Sequence, residues 1–241
     1  LMPIAVLEQT LSALDENLAL DEALLMAAEA GDGGEVLRFW EWPSAAVVLG
    51  AGGSIEIDVN EVACRADGVP LHRRASGGGT VLLGPGCLLF SLVLSYDGAA
   101  ELRDVNASYR WVLGKVGNAL RPVAAAEHVG ISDLAVAGRK VSGNAQQRKA
   151  RNVLHHGTLL YAFDVAKVGR YLKSPERAPA YRGNRDHEAF VTNLPEDAGR
   201  LKELVALAFG AQVGAVSPTA IERVPALINE KYGKEEWVRR R

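Results

Sequence analysis

The sequence predicts an α+β fold in which helices flank a mixed, mostly antiparallel sheet. Hydrophobic residues make up 48% of the 241 residues, which is enough to bury a sizeable core. Segments with helical periodicity alternate with clusters of short apolar runs that glycine and proline interrupt. Such clusters indicate hairpins, and they favour an α+β arrangement over a regular βαβ array.

The first helix is predicted over residues 14–30, where apolar side chains recur at helical spacing and a Gly-Asp-Gly-Gly run follows. Later helical patterns cover residues 102–120, 165–173, 196–209 and 218–233. We expect Asp164 to cap the helix over 165–173. Ser217 is expected to cap the last helix, with Pro218 in its first turn.

Strands are predicted between these helices. They cover residues 35–42, 45–50, 87–95 and 153–164, and two short strands within 132–143 meet at the turn Ala137-Gly138. The segment 87–95 is apolar throughout and has the length of a buried strand.

The composition excludes several classes of protein. The formal net charge of −2 gives no general electrostatic attraction to nucleic acid or to an anionic membrane. No apolar run approaches the roughly 20 residues that span a bilayer, and the first ten residues lack the pattern of a signal peptide. The cysteines, Cys64 and Cys87, have no zinc-site spacing and suit a reducing compartment. We therefore expect a cytoplasmic protein with no nucleic-acid or membrane partner.

The segment Arg73–Gly86, "RRASGGGTVLLGPG", is the first candidate for a functional site. Three successive glycines between two strands are equally consistent with a flexible hairpin or bulge. Arg73 and Arg74, however, carry guanidinium groups suited to phosphate or carboxylate, and glycine lets backbone N–H groups approach an anion. The segment matches neither a Walker loop nor a dinucleotide fingerprint. It is typical of a phosphate-binding loop of another design.

The second candidate is the segment 138–160, "GRKVSGNAQQRKARNVLHHGTLL". Lys140 lies on a predicted strand among small residues, so it is either a solvated edge residue or a cation held against an acyl or phosphate oxygen. His155 and His156 point to opposite faces of their strand, so at most one of them can enter a given pocket. For either histidine, a place in the core or on the surface is the commoner case.

Three segments in order, "RRASGGGTV", "SDLAVAGRKVSGNAQ" and "LHHGTLL", resemble the lipoate–protein ligase A family, and "NLALDEALL", "RFW" and "FVTNL" are further matches. The resemblance extends from about Asn17 to Leu194. This family belongs to the biotin/lipoate ligase and octanoyltransferase superfamily. The resemblance implies that superfamily's catalytic-domain fold, with residues 1–241 as a single domain without a C-terminal accessory domain.

The resemblance also implies an activity and its partners. Family members use ATP, with magnesium, to convert lipoate or octanoate into an acyl-adenylate. They then transfer the acyl group to a lysine of a lipoyl domain of 2-oxoacid dehydrogenases or of the glycine-cleavage H protein. If this chain has no accessory domain, as the resemblance leads us to expect, a separate accessory subunit is an open alternative.

The implied site residues fall into three groups. Lys140 is the catalytic residue, and it stabilises charge that develops on acyl and phosphate oxygens. The residues implied to bind ATP and the acyl-adenylate are Arg73, Arg74, Ser76, Gly77, Gly78, Gly79, Thr80, Val81, Lys140, Gly143 and Asn144. Trp40 and His156 are implied to line the lipoyl pocket, and Asp133 is implied to contact magnesium or the ribose.

The chain departs from the family pattern in ways that keep other functions open. The family's His-Asp-x-Gly-Asn after the glycines is replaced by residues 83–87, "LGPGC", and the "GPG" resembles the octanoyltransferase branch. Residues 50–54, "GAGGS", lack the family's glutamine. Transferases of the superfamily form a thioester on a cysteine, but neither of their cysteine positions holds a cysteine here. We therefore favour an ATP-dependent ligase over an ATP-independent transferase or a non-catalytic lipoyl-binding protein.

One further segment has no assigned role. Residues 181–194, "YRGNRDHEAFVTNL", contain a cluster that the family pattern does not explain, formed by Tyr181, Arg182, Arg185 and His187. A solvated basic loop and a surface for partner docking are equally open interpretations.

Overall fold

The fold described here comes from a computed structural model, which describes residues 4–174, 178–214 and 217–240. The α-helices in these ranges are α1 (Leu14–Ala30), α2 (Ile55–Asp58), α3 (Glu61–Asp67), α4 (Val105–Leu120), α5 (Ala166–Tyr171), α6 (His187–Phe190), α7 (Ala198–Ala208), α8 (Pro218–Leu227) and α9 (Glu235–Arg239). The strands are β1 (Ala5–Glu8), β2 (Val36–Glu41), β3 (Ala46–Leu49), β4 (Leu71–Arg73), β5 (Val81–Leu83), β6 (Cys87–Ser95), β7 (Ala126–Val129), β8 (Asp133–Val136), β9 (Arg139–Arg148), β10 (Asn152–Leu160) and β11 (Gln212–Val213).

The large sheet has eight strands in the order β11-β1-β2-β6-β10-β9-β8-β7. The pairs β11-β1 and β1-β2 are parallel, and all remaining pairs are antiparallel. The predicted fold class, a mixed and mostly antiparallel sheet flanked by helices, is confirmed.

The side chains of β6 alternate between two hydrophobic cores. Leu89 and Val93 pack on one face with α1, α8 and the small sheet. Leu88, Phe90 and Leu92 pack on the other face with α4 and α7. A nine-residue strand that is apolar throughout is the sequence pattern of a strand buried on both faces, and β6 has the predicted bounds.

The small sheet has the order β4-β3-β5, with β3 in the centre. β4 runs parallel to β3 and β5 runs antiparallel to it. The glycine segment between β4 and β5 therefore crosses the end of β3, and β4 does not pair with β5. This register excludes the interpretation of the three glycines as a simple hairpin turn.

Local signals explain where several elements begin and end. α1 ends at Gly31, whose φ of 84° is left-handed. The predicted turn between β8 and β9 has positive φ at both central residues, Ala137 and Gly138, as a type I′ hairpin requires. Pro218 occupies the first turn of α8 after Ser217, as predicted, although the Ser217 side chain makes no capping hydrogen bond.

The predicted cap of α5 is wrong. Val165 occupies the N-cap position with helical φ and ψ, and no side chain caps the helix. The Asp164 carboxylate lies 3.4 Å from the Lys167 ammonium, while the Lys167 N–H donates to the Asp164 carbonyl. The helix therefore begins at Ala166, one residue after the predicted start at residue 165.

Candidate active site

A cavity of about 130 Å³ lies where α1, the small sheet and the large sheet meet. Ten of the residues predicted from the sequence line it: Trp40, Arg74, Gly79, Thr80, Val81, Asp133, Lys140, Gly143, Asn144 and His156. The four other predicted residues, Arg73, Ser76, Gly77 and Gly78, are not among the described lining residues. The segments that looked separate in the sequence thus meet in one place.

The cavity extends along one row of residues that crosses the large sheet from β2 to β8. Trp40 on β2 lies opposite Leu89 on β6, and Leu89 lies opposite Thr158 on β10. The Gly143 N–H donates to the Thr158 hydroxyl over 3.4 Å, and Gly143 lies opposite Asp133 on β8. Four strand spacings, roughly 19 Å in all, separate Trp40 from Asp133. We call the side at Trp40 the apolar end of the cavity and the side at Asp133 the charged end.

Arg74 holds the glycine segment through its carbonyl groups. Its Nη2 donates to the Gly77 carbonyl over 2.6 Å and to the Gly79 carbonyl over 2.8 Å. Because a trans peptide places its N–H opposite its C=O, the N–H groups of Gly78 and Thr80 point away from Arg74. Neither N–H has an acceptor among the described residues. Arg74 thus leaves two backbone donors unpaired beside the cavity.

The remaining contacts of Arg74 explain its burial. Its Nε donates to the Ser76 hydroxyl over 2.9 Å, and its Nη1 donates to the Val48 carbonyl over 3.3 Å. Burial lowers the pKa of Arg74 to about 10, which leaves the side chain cationic at neutral pH.

Gly50 allows the glycine segment to lie against the end of β3. A Cβ at Gly50 would stand 2.1 Å from the Gly78 carbonyl oxygen, which is too close for any side chain. The glycine in "GAGGS" is therefore required by close packing of two backbone segments.

Lys140 lies at the charged end of the cavity in an ion pair. Its ammonium is 2.7 Å from Asp133 Oδ1, and the Tyr181 hydroxyl donates to Asp133 Oδ2 over 2.8 Å. A Cβ at Gly143 would stand 2.8 Å from the Lys140 ammonium. The absence of a side chain at Gly143 thus makes room for Lys140.

His156 lies in a buried polar chain behind the glycine segment. Its Nε2 is 2.6 Å from the Ser76 hydroxyl, which also accepts from Arg74 Nε. Its Nδ1 lies 3.7 Å from Asp21 Oδ2. Asp21 also pairs with Arg38 over 2.6 Å.

The Asp21 carboxylate is fully buried and yet remains ionised. Burial opposes the charge, but Arg38, His156 and Ser91 outweigh it and hold the pKa of Asp21 below its usual value. The sequence interpretation assigned no role to Asp21. Its signal was a carboxylate on the apolar face of α1, between Leu18 and Leu25.

His155 faces away from the cavity, as the strand alternation predicts, but it still acts on a lining residue. Burial lowers the pKa of His155 to about 3, so the ring is neutral. Its Nδ1 accepts from Gln146 over 3.2 Å, and its Nε2 donates to Asn144 Oδ1 over 3.3 Å. His155 therefore fixes the orientation of the Asn144 amide.

Arg73 serves the backbone of neighbouring segments and lies apart from the cavity. Its guanidinium donates to the carbonyl groups of Gly50 (2.9 Å), Gly53 (2.7 Å), Val238 (2.7 Å) and Arg240 (3.0 Å). In return, the Trp237 indole N–H donates to the Arg73 carbonyl over 2.8 Å. Arg73 fastens β4 to the segment 237–240, a geometry that does not favour its predicted contact with a nucleotide.

Both cysteines are buried free thiols, and neither is among the described residues that line the cavity. Burial raises the pKa of Cys87 to about 12. Since a thiolate is the reactive form of cysteine, this burial disfavours Cys87 as a nucleophile at neutral pH.

The residues present do not fit a magnesium site held by protein ligands. Within the described ranges no group of three or more His, Cys, Asp or Glu residues could hold a metal ion. Both oxygens of Asp133 already accept from Lys140 and Tyr181.

The cluster that the sequence left unassigned packs against the site. Tyr181 reaches Asp133, Arg182 lies over the Phe190 ring at 4.9 Å, and Arg185 donates to the Gly138 carbonyl over 2.9 Å. His187 Nε2 is 3.3 Å from the Lys173 carbonyl. The interpretation as a solvated loop is therefore wrong for Tyr181 and Arg182, whereas partner docking stays a prediction.

A comparison with protein families places the chain. The model of the lipoyl protein ligase A/B catalytic domain matches residues 14–205. The chain belongs to this family. Proteins named as ligases and octanoyltransferases match this chain, so the lipoyl protein ligase A/B domain described here is an enzyme domain.

Relatives of this ligase A/B domain carry two names. The probable lipoate-protein ligase A of Mycoplasma pneumoniae is 31% identical over 75% of this chain, which spans only about half (52%) of that relative. The octanoyltransferase LipM of Symbiobacterium thermophilum is 29% identical over 92% of this chain and 93% of its own length.

Solved structures agree with the fold of the ligase A/B domain. A bi-partite lipoate protein ligase from Thermoplasma acidophilum, described together with its E2 lipoyl domain, has a TM-score of 0.84 and 23% identity, with 99% and 97% of the two chains covered. A lipoate-protein ligase A bound with ATP has a TM-score of 0.83 and 23% identity, with 99% of each chain covered. No helix in the described part of this chain is long and apolar enough to cross a membrane.

Proposed function

We propose that this protein is a lipoate– or octanoate–protein ligase. It uses ATP to form an acyl-adenylate and transfers the acyl group to a lysine of a lipoyl domain or of the H protein. One observation carries the proposal: the Lys140 ammonium and the glycine segment meet in a cavity that no cysteine among the described residues lines.

The glycine segment supplies donors for the phosphate groups of ATP. The N–H groups of Gly78 and Thr80 are turned away from Arg74 and have no acceptor among the described residues. An added Cβ at Gly77 or at Gly79 would meet no atom within 4 Å. The backbone is therefore open to an anion such as the α-phosphate, and the buried Arg74 charge behind it favours that anion.

Lys140 supplies the mobile positive charge of the site. Negative charge grows on phosphate and carbonyl oxygens when the acid attacks ATP and again when the acceptor lysine attacks the adenylate. A preorganised cation at that place lowers both barriers. Lys140 is already desolvated in part, with 29% of its side chain exposed, so its attraction to the developing charge is stronger than in water.

The apolar end of the cavity accommodates the acyl chain. Trp40, Leu89 and Leu18 line this end on the face shared by β2, β6 and α1. With the carboxylate of the acid at Lys140, an eight-carbon chain extends along the row of side chains toward Trp40. This orientation brings the reacting carbon next to the glycine segment.

ATP enters as a substrate, with magnesium on its phosphates rather than on a protein site. The proposed location is the cytoplasm, since both cysteines are free thiols. The bi-partite ligase among the structural neighbours supports a separate accessory subunit as a proposed partner.

A second candidate is an octanoyltransferase that takes its acyl group from a carrier protein without ATP. Two observations favour it: alignment with LipM over nearly the whole chain, and the "GPG" segment at residues 84–86. The buried Cys87 thiol and its raised pKa oppose it.

The deciding experiment measures the mass of an apo lipoyl domain after incubation with the purified protein. One arm contains lipoate, ATP and magnesium, a second omits ATP, and a third supplies octanoyl carrier protein alone. We expect one added acyl group in the first arm only, and the same result for Cys87→Ala. Transfer only from the carrier protein would reject the ligase, and complete inactivity of a folded Cys87→Ala variant would make Cys87 the nucleophile.

A further inference from the structure

The segment 178–193 is held firmly against the charged end of the cavity. Tyr181 lies in a 3-10 turn (Ala180–Arg182), and its ring packs on the buried Phe190 with centroids 5.1 Å apart. Arg185 donates to both the Tyr181 and the Gly138 carbonyl groups. The position of the Tyr181 ring is therefore fixed from both sides.

The Tyr181 hydroxyl donates a hydrogen bond to the Asp133 carboxylate, which is largely shielded from water. Asp133 is 7% exposed, and within the described residues its side chain accepts only from Tyr181 and Lys140. Burial and the Asp133 charge together raise the pKa of Tyr181, so the hydroxyl stays protonated and remains a donor.

Each of the two carboxylate oxygens of Asp133 has its own partner. Oδ2 belongs to Tyr181 and Oδ1 to Lys140, whose ammonium lies in the space above Gly143. A carboxylate rotated about its own axis would draw the ammonium to another place. The hydroxyl of Tyr181 prevents that rotation and shares the negative charge of Asp133.

We propose that Tyr181 is a positioning residue for the acyl-transfer chemistry, acting through Asp133 to hold the Lys140 ammonium where it can shift to substrate oxygens. The inference rests on the proposed function. It assigns a role to a segment that the family pattern left unexplained, and it makes this segment part of the active site.

The direction of the effect follows from charge. Without the hydroxyl, Lys140 is the one remaining side-chain donor to Asp133 within the described residues, so the ion pair tightens. Lys140 then contacts acyl and phosphate oxygens less readily in the transition state. The apolar end, which binds the acyl chain, is untouched.

The test compares Tyr181→Phe with Tyr161→Phe. Tyr161 also donates to a carboxylate oxygen, Glu41 Oε1, over 2.6 Å. Neither Tyr161 nor Glu41 is among the described residues that line the cavity. We expect Tyr181→Phe to lower kcat about tenfold or more, as for loss of a hydrogen bond to a charged group, with little change in KM for lipoate. Tyr161→Phe should keep kcat near that of the wild type.

A double-mutant cycle shows whether Tyr181 acts through Asp133. In an Asp133→Asn background, Tyr181→Phe should cause almost no further loss of kcat. Full additivity, a normal kcat for Tyr181→Phe, or a loss confined to KM would each overturn the inference. If the wild type acylates only from a carrier protein, the ligase proposal fails while the same cycle, run in that assay, decides the role of Tyr181. Inactivity of the wild type in both assays would reject the two together.

Discussion

Lys140 is the residue on which the proposed chemistry depends most. Lys140→Ala removes the cation from the charged end of the cavity, and loss of such a contact typically slows a reaction about a hundredfold. Stability should fall by only about 1 kcal/mol, because Asp133 keeps the Tyr181 hydroxyl and the ammonium is partly exposed. Lys140→Arg should also fail, since the space above Gly143 fits a compact ammonium.

The measurement is the rate of acceptor acylation beside the melting temperature of each variant. Lys149→Ala is the matched control, because Lys149 follows the same strand and is exposed. A near-normal rate for Lys140→Ala would show that Lys140 is only an edge residue.

His155 should make the stability of the protein depend on pH in a defined window. Its pKa is about 3 in the folded protein and 6.5 in the unfolded chain, so below pH 6.5 the unfolded chain binds the extra proton. Stability is therefore lost as the pH falls, by about 2 kcal/mol between pH 7.5 and pH 5. Most carboxylates titrate below this window.

The measurement is denaturant unfolding at both pH values for the wild type and His155→Gln. The variant should lose about 2 kcal/mol less than the wild type over the window. His187, whose pKa burial also lowers, is present in both proteins and cancels. Equal losses in the two proteins would show that His155 does not carry the effect.

At the scale of elements, the segment 237–240 braces the glycine segment through Arg73. Trp237→Ala removes the indole donor to the Arg73 carbonyl and the ring beneath Arg240, which lies 3.8 Å from its centroid. We expect backbone amides of residues 73–80 to exchange with solvent about tenfold faster, as for the loss of one hydrogen bond. Acylation should slow as well.

Hydrogen exchange with mass spectrometry measures this effect. Trp111→Ala is the control, because Trp111 lies on α4 against Phe209, on the opposite face of the large sheet. It should leave exchange in residues 73–80 unchanged. Unchanged exchange in Trp237→Ala would mean that the brace is dispensable.

The elements that the sequence predicts well are those with strong local signals. α1 has the predicted bounds because helical periodicity and Gly31 agree, and β6 has them because it is apolar throughout. The Asp164 cap failed because its carboxylate faces the Lys167 ammonium and Val165 takes the N-cap position. Local sequence patterns thus predict the presence of a helix or strand better than the residue that caps its end.

The lining of the cavity was predictable where short motifs carry it and not where distant segments meet. The glycine segment, Lys140 and His156 were named from their motifs and line or adjoin the cavity. The contact of Tyr181 with Asp133 joins residues 48 positions apart, and that of Arg73 with Val238 joins residues 165 apart. No local periodicity encodes such pairs, because they form only when a turn and the last helix pack against the strands.

For the whole molecule, the cavity lies where three layers meet, so its ligand should stabilise all of them. Lipoate or octanoate at a hundred times its Kd should add about 2.7 kcal/mol to the free energy of unfolding. For a domain of this size the melting temperature should rise by roughly 5–10 °C. Acetate, which has the carboxylate without the chain, is the control in a thermal-shift assay. An equal rise in melting temperature with acetate would show that the apolar end of the cavity does not bind the acyl chain.

The long separation between Arg73 and its carbonyl partners also has a consequence during protein synthesis. A ribosome adds about 5–20 residues per second, so roughly 10 to 30 seconds pass between the synthesis of Arg73 and that of Val238, 165 residues later. Until then a guanidinium that the finished fold buries completely has only part of its hydrogen-bond acceptors. Until then β4 keeps part of its hydration, and the contact that fastens it to the segment 237–240 is among the last that the growing chain can form.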